Sequence, residues 1–411
     1  MDFEYNDKTK ALQEKLRDFM DRHVFPAEEV YDRQVLESGD KHHHPRIMEE
    51  LKAKARAAGL WNLFLPIPEY GAGLTNLEYA PLAEIMGRSL IAPEVFNCSA
   101  PDTGNMEILA EYGSPEIKER WLKPLLDGKI RSCFSMTEPE VAGSDPTLLK
   151  GRAERDGNHY VINAHKWFSS NASHPNCKVA IAMVVTDPNA DPHRRASQIV
   201  VPLDTKGVHI LRPVPVFNFD GGEGHCEIHY ENVRVPAGNI LGQEGDGFTI
   251  AQARLGPGRI HHCMRAIGGA ERALDLMCQR AATRFAHGSL LQEKGIIQTW
   301  IAESRLEIEQ ARFLVLHAAW KMDKYGKKQA RQEISMVKTV AANMFQKVVD
   351  RSIQAHGALG TTNDVPLARL WSYARILRIA DGPDEVHNMV VARREIKRFS
   401  AQAQKAVPIP S

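Results

Sequence analysis

The chain has 411 residues, 43% of them hydrophobic and 25% charged, which is enough for two or three packed domains or one large subunit. Its 52 lysines and arginines balance 51 aspartates and glutamates, so no global field attracts nucleic acid or an acidic membrane. No apolar run approaches the ~20 residues of a membrane-spanning helix. Composition therefore favours a globular enzyme whose ligands bind at local sites.

The N-terminus and the cysteines indicate the compartment. The first twenty residues carry early acidic side chains and lack both the apolar core of a signal peptide and the Arg-rich character of a transit peptide. The six cysteines are widely spread and form no CxxC pair, which disfavours a zinc ribbon or a disulfide framework. We expect a cytoplasmic protein with reduced thiols, with no membrane insertion and no nucleic-acid partner.

The first third of the chain is predicted to be helical. Residues 11–26 and 46–61 repeat apolar side chains at three- and four-residue steps, with Pro or Gly near the ends. The stretch PIPEYGAGLTN reads as a Gly-rich loop between helices. We predict an N-terminal helical domain over residues 1–131.

From about Ser132 the sequence changes to short β-rich stretches bounded by Gly, Pro, Asn or Asp. These stretches are HYVINAHKWFSS, KVAIAMVVTD, SQIVVPLD, VHILRPVPVF and HCEIHYENVRVP. Turn residues at such close spacing are typical of antiparallel strands. The pattern predicts a central β domain over residues 132–244.

After Gly247 the helical pattern returns and continues almost to the end. Between Ile301 and Met322 one face stays apolar, which matches a long helix buried in a bundle. We predict a C-terminal helical bundle over residues 245–400 and a fraying tail over residues 401–411.

Several common motifs are absent. The Gly clusters at 71–73, 242–247 and 256–258 do not fit a dinucleotide-binding GxGxxG, and the chain has no GxxxxGK and no GxSxG. The run His42, His43, His44 and the run His261, His262, Cys263 raise the question of metal. Neighbouring helical residues point about 100° apart, so the second run cannot aim three ligands at one ion. We predict polar or packed residues in both runs and no metal.

Two polar loops suit a flat ligand. Residues 133–145 combine hydroxyls with a Gly-Ser turn, which suits hydrogen bonding to a ring edge or a phosphate but equally suits an ordinary capped loop. Residues 165–173 place Trp167 and Phe168 beside serines and an asparagine. These aromatic side chains fit either a wall for a flat cofactor or simple core packing.

The stretch RIADGPDEVHNM, residues 378–389, reads as the start of a helix. Pro383 has no N–H to leave unpaired, and the acidic residues after it complement the positive end of the helix dipole. Asp381, just upstream, is either a turn residue or a carboxylate held by the turn for chemistry.

Three of these stretches together resemble the acyl-CoA dehydrogenase family. MTEPEVAGSD resembles its flavin-binding TEP…GSD loop, HKWFSSNAS its K-x-W-I-T-N strand, and RIADGPDEVHNMVVAR its base-carrying segment. The resemblance is collinear over nearly the whole chain. It implies a mainly α fold with an N-terminal helical domain, a central antiparallel β-barrel domain and a C-terminal four-helix bundle. It also implies FAD as cofactor, acyl-CoA as substrate, an electron-transferring flavoprotein as acceptor, and a homodimer or homotetramer.

The resemblance also assigns residues. It implies Asp381 as the base, with Ser144, Arg259 and Gly382 near the acyl-CoA. The residues that it implies for FAD binding are Phe134, Met136, Thr137, Ser144, Phe168, Ser170, Arg284, His287, Gln354, Gly357, Ala358, Pro383 and Glu385. The chain departs from the family pattern in several places: Phe168 replaces Trp, Ser170 replaces Thr, and Gly295 stands where Gln is usual.

Asp381 stands where the family pattern has Glu, and the side chain is shorter by roughly 1.5 Å in a reaction where ~1 Å can cost about 10²-fold in rate. Asp at this position resembles two branches: nitroalkane oxidase, and a dehydrogenase branch also found fused to phosphotransferase-like kinase domains. The stretches GLWNLFLP and MTEP…SD resemble the dehydrogenase branch, which is therefore the one predicted. The predicted reaction is FAD-dependent α,β-dehydrogenation of an acyl-CoA to the trans-2-enoyl-CoA. The alternatives are a flavin oxidase of the same fold, of the nitroalkane or acyl-CoA type, and a non-catalytic scaffold.

Overall fold

A computed structural model describes residues 4–217 and 224–406, with side chains assigned as far as residue 400. The segment before the sheet is helical, as predicted. Its helices are α1 Asp7–Phe19, α2 Phe25–Ser38, α3 Arg46–Ala57, α4 Asn76–Gly87, α5 Ala92–Val95, α6 Asp102–Tyr112, α7 Pro115–Ile117 and α8 Lys123–Leu126. Helix α4 begins with a capping box. The Thr75 hydroxyl accepts a hydrogen bond from the Glu78 N–H, and the Glu78 carboxylate accepts one from the Thr75 N–H.

Seven strands follow and form one sheet. They are β1 Arg131–Ser135, β2 Arg152–Asp156, β3 His159–Ser170, β4 Cys177–Val185, β5 Ala196–Pro202, β6 Val208–Pro213 and β7 His225–Pro236. The strand order is β1-β4-β2-β3-β7-β6, with β5 also paired to β4. The predicted stretches at 159–170 and 225–236 coincide with β3 and β7. The mainly α fold with a central β domain is thereby confirmed.

The strand pairing differs from the prediction at two pairs, both of which involve β4. Strands β2–β3, β3–β7, β4–β5 and β6–β7 pair antiparallel, as the turn spacing predicted. However, β4 pairs parallel with β1, from Arg131 with Cys177 to Ser135 with Ala182, and parallel with β2 at Arg152 with Val185. Parallel neighbours need a long connection, and here the β2–β3 hairpin supplies it. Sequence periodicity reports which face of a strand is buried but not the direction of its neighbour.

The two faces of the sheet differ in burial. Strands β4 and β5 are buried almost throughout, so their sequences are nearly continuous apolar runs. Strands β3 and β7 alternate between buried and partly exposed residues, with Tyr160, Ile162, Ile228 and Tyr230 in the core cluster. The opposite face of β3 and β7 therefore carries polar side chains.

The rest of the chain is again helical. Helix α9 spans Gly247–Thr283, and a short hairpin of β8 Phe285–Ala286 and β9 Ser289–Leu290 follows it. The remaining helices are α10 Gly295–Tyr325, α11 Arg331–His356, α12 Leu367–Leu377 and α13 Asp384–Ala406. Helix α10 buries Ile308, Ala311, Val315 and Met322 on one face, as the predicted bundle helix requires.

The described chain separates into two compact units. One contains residues 4–13, 75–90 and 259–406, and the other contains residues 14–74, 91–217 and 224–258. The domain boundaries predicted at 131, 244 and 400 remain predictions. Part of the predicted tail, residues 407–411, lies outside the described residues. Among the helices of the described part, none has the length and apolar character needed to cross a membrane.

Candidate active site

Asp381 lies in the six-residue turn between α12 and α13. Its φ is +56°, and the next residue, Gly382, has a φ of +104°. Asp tolerates the left-handed region better than most residues because its short polar side chain hydrogen-bonds locally, whereas the angle at Gly382 favours glycine strongly. The backbone conformation of the turn is therefore by itself sufficient reason for an Asp at position 381, whether or not its carboxylate takes part in chemistry.

Two side chains fix the backbone of Asp381. Arg259 Nε donates to the Asp381 carbonyl oxygen at 2.8 Å, and His387 Nε2 lies 3.3 Å from the same oxygen. Burial, together with the charges of Arg259 and Lys338, lowers the pKa of His387 to about 4, so this imidazole is neutral at pH 7. The carbonyl is therefore held from two directions by groups on α9 and α13.

The start of α13 is anchored separately. Asp384 is buried, and its Oδ2 accepts from Arg378 Nε at 2.8 Å and from Asn343 Nδ2 at 3.0 Å. Its backbone N–H donates to the Arg378 carbonyl at 3.1 Å. The acidic first turn predicted for this helix is confirmed at Asp384 and Glu385. Asp384, and not Asp381, therefore supplies the carboxylate that stabilises the turn through Arg378 and Asn343.

His262 faces the Asp381 carboxylate, with 3.4 Å between its Nε2 and Asp381 Oδ2. The other ring nitrogen, Nδ1, lies 3.1 Å from a guanidinium nitrogen of Arg265 and 3.2 Å from the Tyr373 hydroxyl. A guanidinium only donates, so Nδ1 must accept and the ring proton is assigned to Nε2. His262 thus points an N–H at a carboxylate whose side chain is 24% exposed.

In the other unit, the loop after β1 is joined to the end of β3. Thr137 Oγ1 donates to the Trp167 carbonyl at 2.7 Å, and the Trp167 N–H donates to the Thr137 carbonyl at 3.1 Å. The pairing of β3 with β7 is interrupted between Lys166 and Ser169. At this bulge Phe168 has a φ of +52° and is 43% exposed. A bulky residue in this region of φ is a backbone outlier, typical of functional sites.

A buried ion pair lies beneath this loop. Lys166 Nζ donates to Glu138 Oε1 at 2.7 Å and to the carbonyls of Met136 and Met183 at 2.9 and 2.7 Å, and both charged side chains are fully buried. Glu138 also accepts from the backbone N–H groups of Lys150 and Gly151. Burial lowers the pKa of Lys166, and the Glu138 charge opposes that shift. The network therefore holds residues 136–138 against the strands.

The other predicted residues fall into distinct positions. Phe134 is half-buried under the Arg254 guanidinium, 4.0 Å from the ring centroid, and Ser144 is exposed on its loop. Ser170 Oγ lies 2.7 Å from His225 Nδ1. Two further groups of predicted residues are exposed. Arg284 and His287 follow the end of α9, and Gln354, Gly357 and Ala358 lie at the end of α11. The residues Phe134, Met136, Thr137, Ser144, Phe168 and Ser170 lie in one unit, and the other predicted residues lie in the unit that carries Asp381.

Sequence reasoning missed His262. The run IHHC was assigned to packing, which fits His261: it is buried, and burial holds the pKa of its imidazole well below the usual range. His262, however, lies three residues after Arg259 and shares its face of α9. That spacing, beside a residue already placed near Asp381, was the available signal.

Comparison with known proteins decides the family. Three sequence models match the chain: acyl-CoA dehydrogenase, N-terminal domain, at residues 6–129; middle domain, at residues 133–233; and C-terminal domain, at residues 245–396. The chain belongs to the acyl-CoA dehydrogenase family. The three motifs that carried the resemblance lie within the matched regions.

Individual relatives agree with this membership. The chain is 54% identical over 409 residues to a probable acyl-CoA dehydrogenase FadE2 of Mycobacterium tuberculosis, covering 99% of this chain and all of that one. It is 52% identical to mouse acyl-CoA dehydrogenase family member 10, covering 97% of this chain but 38% of that protein. A solved putative acyl-CoA dehydrogenase from Mycobacterium abscessus matches with a TM-score of 0.93 and 50% identity, covering 97% of this chain and all of that one.

Proposed function

We propose that the chain is an FAD-dependent acyl-CoA dehydrogenase that converts an acyl-CoA to its trans-2-enoyl-CoA, with Asp381 removing the α-proton. The observation that carries this proposal is the Asp381 turn. A carboxylate sits there on a backbone fixed by Arg259 and His387, with the His262 N–H directed at one of its oxygens. Family membership supports the oxidoreductase class and FAD as the cofactor.

The residues around Phe168 fit a flat heteroaromatic cofactor. Phe168 presents an exposed aromatic ring at the bulge in β3. Ser170 lies two residues later on the same strand, and Thr137 lies on the loop after β1, which is hydrogen-bonded to β3 at Trp167. An exposed aromatic beside hydroxyls suits stacking on a ring and hydrogen bonding to its edge. In the other unit, the exposed Arg284 guanidinium suits a phosphate group. We assign these residues, with the other predicted FAD positions, to cofactor binding.

Asp381 is suited to proton abstraction by its surroundings. An α-proton beside a thioester is a weak acid, so the base needs a fixed position and limited solvent contact. The partly buried carboxylate and its doubly held carbonyl satisfy both needs. FAD, when bound, would supply the acceptor for the β-hydride. Arg259 contributes by holding the Asp381 backbone, and burial lowers its own pKa while the Asp381 charge opposes that shift.

His262 is the positioning residue for the shortened base. An Asp carboxylate rotates about one bond fewer than Glu, and an N–H donor to one oxygen fixes the remaining rotation and leaves the other oxygen for the substrate. Arg265 and Tyr373 fix the tautomer of His262 in turn. The Asp381 side chain is therefore preorganised by a contact from α9.

The remaining assignments complete the proposal. An electron-transferring flavoprotein is the proposed acceptor of the electrons, and a homodimer or homotetramer in the cytoplasm is the proposed state. Ser144, Arg259 and Gly382 are proposed near the acyl-CoA. The whole-protein activity of the longer animal relatives does not carry over, because the chain spans 38% of the mouse protein.

Anaerobic flavin reduction tests the function. The purified yellow protein is mixed without oxygen with short, medium, long and hydroxylated acyl-CoAs. The loss of flavin absorbance is followed, and the masses of the products are measured by mass spectrometry. At least one acyl-CoA should bleach the flavin and yield a product lighter by two hydrogens. If no acyl-CoA bleaches the flavin, the proposed dehydrogenation is wrong.

The oxidase alternative rests on one observation, the Asp in place of Glu, which resembles nitroalkane oxidase as well as the dehydrogenase branch. It predicts oxygen consumption and hydrogen peroxide release without any flavoprotein acceptor, with a nitroalkane or an acyl-CoA as substrate. The dehydrogenase predicts slow reoxidation in air and fast turnover once an electron-transferring flavoprotein is added. A purified protein that binds no flavin would instead favour the scaffold alternative.

A further inference from the structure

The polar face of β3 and β7 carries a cluster that the dehydrogenation does not use. His165 on β3 is the register partner of His229 on β7, and Glu227 lies two residues before His229. In an antiparallel pair, opposite residues and residues two apart on one strand share a face. One ligand atom from each of the three lies within 4.8 Å of the others. We propose that His165, Glu227 and His229 form a binding site for a divalent cation of the Zn²⁺ type.

The ligand set and its spacing suit such an ion. Two imidazoles and one carboxylate, with an open fourth position, are a recurrent zinc arrangement. Tetrahedral ligands about 2.1 Å from zinc lie roughly 3.4 Å from each other, so the atoms need to move by at most about 1.4 Å. His165 Nε2 and Glu227 Oε1 are 2.8 Å apart, so this pair would separate by about 0.6 Å when both atoms bind the ion.

The contacts around the three ligands also suit a metal. His165 Nδ1 lies 2.5 Å from Glu140 Oε1, the carboxylate–histidine contact that orients a metal ligand from behind. Arg212 Nε donates to Glu227 Oε2 at 2.9 Å, so the other oxygen is the one directed at His165. A pocket of about 300 Å³, lined in part by Glu140, His165, His229 and Glu231, adjoins the cluster and gives room for water ligands.

His229 provides the observation that an ordinary ion pair does not explain. A protonated His165 bridging Glu140 and Glu227 would account for those three side chains alone. His229 Nε2 is buried and has no hydrogen-bond partner among the side chains that the structure describes. A buried nitrogen without a partner is costly, and a metal bond would satisfy it. Burial lowers the pKa of His165, but its two carboxylate contacts raise it overall, so protons compete with the metal.

A second His–Glu–His cluster shows what an unsuitable site looks like. His44, Glu94 and His174 also meet the distance condition. There, however, Lys52 Nζ lies 2.7 Å from Glu94 Oε1, and an Arg131 guanidinium nitrogen lies 2.5 Å from it. Two fixed cations already neutralise the carboxylate and would repel an added ion. At the proposed site, among the described residues, Arg212 is the one Lys or Arg that forms an ion pair with Glu227, and the carboxylates of Glu140 and Glu231 line the adjoining pocket.

Calorimetric titration of the flavin-loaded protein with Zn²⁺ alone, after chelation and dialysis, tests the site. We expect saturable binding of one ion per chain at pH 8, weaker at pH 6. His229→Gln and Glu227→Gln should each weaken binding by at least about 100-fold, more than the ~10–100-fold loss typical of an outer contact. The matched control is His44→Gln in the other cluster, which should bind Zn²⁺ as the wild type does.

Retained flavin absorbance shows that each variant is folded, and the heat of binding is measured without any turnover, so this test is independent of the proposed dehydrogenation. Weak, unsaturable binding would mean adventitious adsorption and would overturn the proposal. Saturable binding that survives His229→Gln or is lost in His44→Gln would place the ion elsewhere and overturn it equally.

Discussion

In the proposed mechanism His262 is the residue that positions Asp381, whose side chain is one methylene shorter than the Glu of the family pattern. Its Nε2 lies 3.4 Å from Asp381 Oδ2, and its tautomer is fixed by Arg265 and Tyr373. A hydrogen bond to a charged group contributes ~1.5–3 kcal/mol. At this distance the lower end applies.

Replacing His262 by Phe should therefore lower kcat for flavin reduction by about 10-fold, while KM for the acyl-CoA changes little, because the lost contact positions the proposed base and not the substrate. His262→Gln keeps an N–H donor and should recover most of the rate. Stopped-flow reduction of equally flavin-loaded variants measures both. Equal rates for His262→Phe and wild type would remove His262 from the mechanism.

At the element scale, the turn between α12 and α13 depends on glycine at position 382. Its φ is +104°, and an added Cβ would lie 2.8 Å from His387 Nε2, one of the two groups that hold the Asp381 carbonyl. Gly382→Ala should destabilise the fold by more than about 1 kcal/mol and reduce flavin reduction by about 10²-fold or more. Gly238→Ala, where no atom lies within 4 Å of an added Cβ, is the matched control and should change neither. Unaltered activity in Gly382→Ala would show that the turn tolerates displacement.

The packing of the loop after β1 depends on the buried Lys166–Glu138 ion pair, because this pair joins the loop to β3. Lys166→Met leaves Glu138 buried and unpaired. The free energy of unfolding should fall by roughly 3–5 kcal/mol, and the protein should retain less flavin. Adding Glu138→Gln to Lys166→Met should recover part of the loss, because the uncompensated charge is gone. Urea unfolding and the flavin-to-protein ratio measure these effects. Lys150→Met, at an exposed side chain, should stay within about 0.5 kcal/mol of wild type.

At the scale of the whole molecule, buried neutral histidines predict sensitivity to acid. Burial first, and then the charge of Arg131, lowers the pKa of His174 to about 3, below the ordinary value of 6.5. As pH falls below about 6.5 the unfolded chain takes up a proton that the folded chain refuses, so stability is lost between pH 6.5 and about 3. At pH 5 the loss from His174 alone is roughly 2 kcal/mol relative to pH 8.

The measurement is the unfolding free energy at pH 8 and pH 5 at fixed protein concentration. His174→Gln should be less stable than wild type at pH 8 because its contacts with His44 and the Asn176 N–H are lost, but its loss on going to pH 5 should be smaller. An identical pH dependence in wild type and His174→Gln would show that His174 is not the group that titrates.

Much of the architecture was predictable because it rests on local periodicity. Strand β3 at His159–Ser170 and helix α10 at Gly295–Tyr325 show their period-two and helical patterns directly. The turn pattern, a Pro and two acids before an apolar face, drew attention to Asp381, and the family resemblance supplied its role as base, which remains a prediction. The family motifs named Phe168 and Arg284, but whether they bind FAD remains a prediction.

What sequence could not provide are contacts that depend on how elements meet. His262 reaches Asp381 only because α9 packs beside the α12–α13 turn, 119 residues later in the chain. The parallel pairing of β1 with β4 and the meeting of His165 with His229 depend on strand order and register. None of these has a local sequence signal, since a strand's own periodicity is the same with any neighbour.

The most direct test of the proposed chemistry is anaerobic flavin reduction by an active acyl-CoA in Asp381→Asn. Asparagine keeps the shape and the tolerance for a left-handed backbone but removes the base, so the reduction rate should fall by about 10²–10⁴-fold while flavin content and acyl-CoA binding persist. Asp364→Asn, at an exposed loop carboxylate, is the control and should reduce at the wild-type rate. Reduction of Asp381→Asn as fast as wild type would contradict the assignment of Asp381 as the catalytic base.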